Sequence, residues 1–333
     1  VSSTKNRVTI AQVAEYAQVS TMTVSRVVNN RGQVSDETRT AVHHAMSELG
    51  YKPNRIARSL VSNKTYKIGV LVPDLDSTFF ASILSSIEQV LWEHDYQVLV
   101  SNSGKSDRRE QDILTVFEED QVDGVLVFGS HLDKDQLTEL LQNQKAAVVF
   151  NCEVDSKAAG QILLDHDNAI ELAVSHLMNS GRSHLGYVGT GLQTYATRSR
   201  QRVFEKVVSA HNLTGWLLQL DYGTIRDSLP EYLERFPDTD GVVCFNDECA
   251  AEVLFALDML GKRVPEDVAV IGFDDIKLAQ LVTPRLTTVR TKTHIRDLGE
   301  LAANMLLGRI NGNEGDELPI MVAYELVIRD SAP

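Results

Sequence analysis

Residues 8–29 read VTIAQVAEYAQVSTMTVSRVVN. Ile10, Val13, Ala14 and Ala17 recur at helical spacing and make one apolar face. Val19 sits in a short turn, and Val24, Val27 and Val28 make a second apolar face. Helices this short do not persist alone in water. Joined by a tight turn and packed on a third helix, they form a helix-turn-helix core. The stretches expected are 10–17, 21–28 and 36–49. Thr9, Ser20 and Ser35, the last followed by Asp36 and Glu37, supply the start signals, and Gly50 closes the third helix as a left-handed cap. The outer face of the second helix carries Thr21, Met22, Ser25 and Arg26, residue types that touch base edges.

Working outward, 333 residues suffice for a large α/β core with an appended module. At 43% hydrophobic and 23% charged, the composition is that of an ordinary soluble chain. No run approaches the roughly 20 apolar residues of a membrane span. The first residues, Val1-Ser2-Ser3-Thr4-Lys5, are polar and lack the apolar core of a signal peptide. Cys152, Cys244 and Cys249 are too few and too irregular for a disulfide framework or a zinc site, and are expected as buried thiols. The expectation is a cytoplasmic protein with no metal, cofactor or membrane partner.

The net charge of −14 is unevenly distributed. Residues 1–64 hold nine Lys or Arg against four acids, a balance of +5 that leaves −19 for the remainder. A basic head on an acidic body turns the head toward phosphate and keeps the body away from it. After the head, Pro53 stops the third helix, and a short basic segment follows. From Tyr66 onward, apolar runs at 68–72, 98–100, 125–128, 146–150, 185–188, 217–220, 242–245 and 268–272 alternate with amphipathic helical stretches. Strands apolar on both faces, alternating with helices, mean parallel sheet. Eight units exceed one compact sheet, so two α/β lobes are expected, with 320–328 as one more strand. The organisation expected is a head at 1–50, a hinge at 51–65 and a body at 66–333. The N-lobe spans about 66–162 and 291–318, and the C-lobe about 163–290 and 319–333.

The string from Ala14 to Asn29 resembles AxxxGVSxxTVSRxxN, the head motif of the lac and galactose repressor family of bacterial regulators. Gln18 departs from it where the family usually has Gly, and a left-handed backbone there strains Gln by about 1 kcal/mol. The resemblance implies that Thr21, Met22 and Arg26 contact bases in the major groove, with Ser20, Ser25 and Asn29 beside them. Arg26 suits bidentate bonding to guanine, and Met22 or the Thr21 methyl suits a thymine methyl. Equally, Arg26 neutralises phosphate and Met22 is a solvated hydrophobe. The segment from Tyr51 to Leu60 resembles the family's YxPNxxARxL hinge. The family orders that hinge as a helix on operator DNA and wedges a leucine into the minor groove. This assigns Asn54, Ala57, Arg58 and Leu60 to the minor groove; the other reading is a plain linker.

The body resembles the two-lobed periplasmic-binding-protein architecture of the same family, whose ligands sit in the cleft at the C-terminal ends of the strands. After 242–245 come Asn246 and Asp247, and after 268–272 come Phe273, Asp274 and Asp275. The family places sugar-hydroxyl ligands at Asn246, Asp247 and Asp274. Asp247 equally suits the N-cap of a helix over 248–260, and Asp275 a helix cap. The family's RxxGF maps onto Arg200 and Phe204, with Val203 replacing Gly. Arg198 and Arg202 share a helix face and Arg200 points elsewhere, so Arg200 is the cleft residue. Tyr222 matches a stacking aromatic. Asp74, Phe79 and Asn151 follow N-lobe strands, though Phe79 and Phe80 equally suit the core. No GxxxxGK[ST], GxSxG or His/Cys cluster supports the rival reading of an enzyme. A transport binding protein would leave the head unexplained. The implied protein is not an enzyme. It is a repressor of a carbon-source operon that binds a palindromic operator as a homodimer, with helices 80–92 and 248–260 as candidates for the interface. A sugar, sugar acid or nucleoside effector controls it through lobe closure. With the sequence ending soon after Arg329, a heptad tail of the kind that supports tetramers is not expected.

Overall fold

A computed structural model describes residues 8–28, 32–52, 64–104, 106–191, 194–220, 224–313 and 318–333. The chain divides into two compact units, Val1–Tyr66 and Lys67–Pro333. Among the described residues no helix is long and apolar enough to cross a membrane.

The first unit is built from α1 (Ile10–Tyr16), α2 (Thr21–Val28) and α3 (Asp36–Leu49). Each start is fixed by a short hydroxyl side chain. Thr9 accepts from the Gln12 backbone N–H while the Gln12 side chain reaches back to the Thr9 N–H, forming a capping box. Ser20 accepts from Thr23 N at 3.1 Å, and Ser35 accepts from Thr38 N at 3.3 Å. Gly50 ends α3 at φ 64°, the left-handed conformation that costs Gly least. Gln18 takes φ 53° in the turn between α1 and α2, the strained geometry its sequence position implied. Val13, Ala14, Val24, Val27, Val42 and Ala45 are the buried centre of this small unit.

The second unit contains two six-stranded sheets. The strands are β1 (Lys67–Val72), β2 (Gln97–Asn102), β3 (Gly124–Phe128), β4 (Ala147–Phe150), β5 (Gly160–Leu164), β6 (His184–Thr190), β7 (Thr214–Leu220), β8 (Gly241–Cys244), β9 (Ala269–Phe273), β10 (Thr287–Thr291), β11 (Ile320–Val322) and β12 (Tyr324–Val327). Between them lie α4 (Thr78–Glu93), α5 (Asp107–Glu119), α6 (Lys134–Gln142), α7 (His166–Asn179), α8 (Tyr195–Ala210), α9 (Ile225–Arg235), α10 (Asp247–Met259) and α11 (Ile295–Ile310). The N-lobe sheet runs β11-β5-β4-β3-β1-β2 and is parallel throughout. The C-lobe sheet runs β12-β10-β9-β8-β6-β7, with β12 antiparallel at its edge. The fully buried strands β3, β4, β8 and β9 carry no alternation because helices cover both faces.

Two strands escaped the sequence reading. β5 was not recognised, and β10, with the sequence TTVRT, lacks an apolar run although Thr287 and Thr288 are fully buried. Burial is tolerable there because Thr288 Oγ1 donates to Asp247 Oδ1 at 2.6 Å and Thr287 Oγ1 donates to the Ala332 carbonyl at 2.9 Å. The single strand expected over 320–328 is two strands. The chain changes sheets at Ala323, so β11 belongs to the N-lobe sheet and β12 to the C-lobe sheet.

The chain therefore passes between lobes after β5, after β10 and after β11. The crossovers are tied together. Asp165 N donates to the Val322 carbonyl at 3.0 Å, and Lys292 N donates to the Ala323 carbonyl at 2.9 Å.

Trp216 closes one flank of the C-lobe by lying over Gly186 of β6, where a Cβ would come within 2.2 Å of its ring. Its indole N–H donates to Thr239 Oγ1 at 2.9 Å. Gly186→Ala should displace this ring and destabilise the protein by about 1–3 kcal/mol. Denaturant unfolding followed by tryptophan emission reports it, because the other tryptophan, Trp92, is already 68% exposed.

Candidate functional site

Two surfaces carry the chemistry, one in each unit. In the first, α2 buries Val24 and Val27 against its neighbours, which turns Thr21, Met22 and Arg26 to the outside. Met22 is 63% exposed. Ser25 is half-buried, and Ser20 is exposed with its hydroxyl engaged as the cap of α2 and beside Thr23 Oγ1 at 2.9 Å. Asn29 and the hinge residues Asn54, Ala57, Arg58 and Leu60 lie outside the described residues.

In the second unit a cavity opens between the lobes at the C-terminal ends of the parallel strands. Pro73, Asp74 and Ser77 reach it from the β1–α4 connection, Phe79 and Phe80 from the first turn of α4, Gly129 from the end of β3, Asn151 from the end of β4 and Leu164 from the end of β5. The C-lobe contributes Thr194, Ala196 and Arg200 around the start of α8, Phe245 and Asn246 after β8, and Asp274 after β9. Asn151 at φ 57° and Asp274 at φ 92° are non-glycine residues held in left-handed backbone, which places strain at the cavity wall.

Arg200 organises the C-lobe wall. It is 3% exposed. Its Nε donates to His166 Nδ1 at 3.3 Å, Nη1 donates to the Phe245 carbonyl and Nη2 donates to Tyr324 Oη at 3.3 Å. Asp274 Oδ1 lies 3.7 Å from Nη2. The Phe273 ring centroid is 4.3 Å and the Phe245 centroid 4.9 Å from the guanidinium carbon. Arg198 and Arg202 on the same helix are exposed, and Arg202 pairs with Asp167 at 3.1 Å.

These contacts set the protonation of the neighbours. Burial, reinforced by the Arg200 charge, holds His166 well below the ordinary imidazole range, so it is neutral. With Nδ1 accepting from Arg200, the proton resides on Nε2, which donates to Asn151 Oδ1 at 2.8 Å. His166 thus links a C-lobe arginine to an N-lobe asparagine. Burial pushes Asp274 up to about 6, with Arg200 pulling it down and Glu248 pushing it up.

Of the residues expected to bind a ligand, the cavity gathers Asp74, Phe79, Asn151, Arg200, Asn246 and Asp274. Tyr222 lies outside the described residues. Asp247 does not line the cavity. It is fully buried, with Oδ1 accepting from Thr288 Oγ1 and Oδ2 accepting from Ile276 N at 2.8 Å. Nor does it cap α10: Asn246 is the N-cap, accepting from Cys249 N at 2.8 Å. Asp247 instead clamps β10 and the loop after β9 together. Burial drives its carboxyl well above the usual range, and the Thr288 bond opposes that rise. Gly272 makes room for it, since a Cβ there would lie 2.3 Å from Asp247 Oδ1. Asp275 is not a helix cap. It accepts from Arg329 Nη2 at 2.6 Å and Arg290 Nη1 at 3.1 Å.

Ser77, Thr194, Phe245, His166 and Tyr324 take part in the wall or its support without having been singled out. His166 follows β5 as Asn151 follows β4; its place after a strand is legible in the sequence, but its bonds to Arg200 and Asn151 are not. Tyr324 carries no local signal.

The model for bacterial regulatory proteins of the lacI family matches residues 9–54, and that for a periplasmic binding protein-like domain matches residues 174–332. The chain is 31% identical to the HTH-type transcriptional repressor PurR of Vibrio vulnificus (strain CMCP6), over 97% of this chain and 98% of that protein. It is 30% identical to the ribose operon repressor of Halalkalibacterium halodurans, over 97% and 96%. The crystal structure of the lac repressor dimer bound to operator and the anti-inducer ONPF superposes with a TM-score of 0.87. That match is at 25% identity and covers 98% of this chain and 99% of that one.

Asp247→Ala leaves the Thr288 hydroxyl and the Ile276 amide without their buried acceptor. Stability should fall by about 2–4 kcal/mol, measured by chemical unfolding of the protein without ligand. A change in ligand affinity with stability intact would instead place Asp247 at the ligand.

Proposed function

The chain belongs to the lacI family of bacterial regulatory proteins, which are transcriptional repressors and not enzymes, and on that premise we propose that it represses a carbon-source catabolic operon under the control of a small molecule bound between its lobes. Two copies bind the two halves of a palindromic operator, each laying α2 in the major groove. Thr21, Met22 and Arg26 read base edges, Ser20 and Ser25 flank them, and Asn29 extends the same face. The hinge at 51–65, through Asn54, Ala57, Arg58 and Leu60, enters the minor groove. The effector is a sugar, sugar acid or nucleoside contacted by Asp74, Phe79, Asn151, Arg200, Asn246 and Asp274, with Tyr222 stacked on it.

The observation that carries the cleft reading is the Arg200 cluster. A fully buried guanidinium flanked by Asp274 and two phenylalanine rings faces a cavity whose opposite wall is Asp74 and Asn151. Carboxylate, amide and aromatic groups converging in a pre-formed cleft are what a polyhydroxy ligand requires. Dimer formation is supported by bulky apolar side chains left outside on α10 and the turn after β9: Phe255, Met259, Leu260 and Leu281, with Met259 at 72% exposure. Lobe closure around the effector is a hinge transition that alters how the two heads are presented to the half-sites.

Retention of specific genomic fragments in a gel shift, with retention altered by one class of carbon source, tests the whole reading. Failure to retain any fragment with or without small-molecule extracts rejects it. Arg26→Ala should weaken specific operator binding by about 1–3 kcal/mol and relax discrimination at one base position, as read by anisotropy titration against scrambled duplex. Arg200→Ala should retain operator binding and lose the effector response. Equal loss of both, in a protein whose circular dichroism is unchanged, would remove Arg200 from the cleft mechanism.

A further inference from the structure

The charges at the cavity decide which kinds of effector it can hold. Among the described residues its walls carry one cation, Arg200, and two carboxylates, Asp74 and Asp274. A third carboxylate, Glu248, sits close enough to act on Asp274, and it reaches across the lobes to accept from Thr78 Oγ1 at 3.2 Å. The segments 192–193 and 221–223 contain no Lys or Arg in their sequence. Acids therefore outnumber the cation.

Arg200 is also poorly available to an incoming anion. A guanidinium has five N–H groups. Protein acceptors engage Nε, Nη1 and Nη2, and Asp274 stands beside Nη2. Two aromatic rings lie over the group. Three of its five N–H groups are thereby spent on protein acceptors, and an incoming carboxylate or phosphate would share the rest with Asp274. The acceptors on the wall are differently placed. Asp74 forms no ion pair among the described residues, and its Oδ1 accepts only the short-range bond from Asp76 N at 2.9 Å. Asn151 has its oxygen turned to His166, so its amide N–H₂ is the end that suits a ligand oxygen. Phe79 and Phe80 add an apolar wall suited to the C–H face of a ring.

We infer that the effector is a neutral polyhydroxy compound or its amino counterpart, and that uronates, aldonates, sugar phosphates and nucleotides are excluded. Its hydroxyls donate to Asp74 from one lobe and Asp274 from the other, while Arg200 serves to hold Asp274 in place rather than to receive an anion. Like-charge contact with two carboxylates provides the discrimination. This rests on the reading that the cleft takes a polyhydroxy effector.

The test uses the full chain, with thermal shift followed by calorimetry on matched sets. The sets are glucose, glucosamine, glucuronate, gluconate and glucose 6-phosphate; galactose with galacturonate; ribose with ribose 5-phosphate; and adenosine with its 5′-monophosphate. The expected result is binding by a neutral or amino member, with its anionic counterpart weaker by about 100-fold or more. An anionic member that binds as tightly as its neutral counterpart, and loses binding in Arg200→Ala, overturns this inference and leaves the cleft reading standing. Silence of every member, in protein that still retains operator DNA, rejects the polyhydroxy reading and the inference with it. Asp74→Asn should narrow the gap between neutral and anionic members. An unchanged gap in a variant that still binds the neutral member shows that Asp74 is not the discriminating charge, and overturns the assignment.

Discussion

A guanidinium removed from water must find its compensation in the protein. Arg200 dictates much of what surrounds the cleft for that reason. Its partners come from widely separated parts of the chain: His166 at the start of α7, the Phe245 carbonyl after β8, Asp274 after β9 and Tyr324 at the start of β12. No local segment could satisfy it. The C-lobe strands must end at the same level for these groups to converge, which parallel pairing of β6, β8, β9 and β10 in register provides. The neutral state of His166 and the elevated Asp274 carboxyl follow from the same burial.

Two of those partners also sit at crossovers between the lobes. His166 is the first residue of α7, just past β5, and Tyr324 is the first residue of β12, just past Ala323. The group that faces the cavity is thus bonded to the segments about which the lobes would turn. His166 extends the connection to Asn151 in the N-lobe. In the proposed reading, a ligand that shifts Arg200 or Asn151 acts directly on these crossovers, without a long chain of intermediates.

The head obeys a different economy of scale. Its core is six buried small or β-branched residues, too little to hold helices of seven and eight residues without well-made ends. Thr9, Ser20, Ser35 and Gly50 supply those ends. Burying Val24 and Val27 then leaves Thr21, Met22 and Arg26 with nowhere to point but outward.

The helices of the head, their caps and their outward face were determined by the sequence alone, because they depend on spacing within a turn or two of helix. Eight strands of the body were legible as apolar runs, and in β3, β4, β8 and β9 burial on both faces makes those runs continuous. β10 was hidden because its threonines satisfy their hydroxyls through Asp247, Arg329 and Ala332, partners up to 45 residues away. Arg200 could be picked from three nearby arginines by helical phase, but its four restraints could not. Asp247 shows the limit most clearly. Its position after a strand was as suggestive of a ligand contact as that of Asp274. Only the folded arrangement, with Thr288 and Ile276 closing on its two oxygens and Gly272 leaving it room, decided that one aspartate is internal bracing and the other faces the cleft.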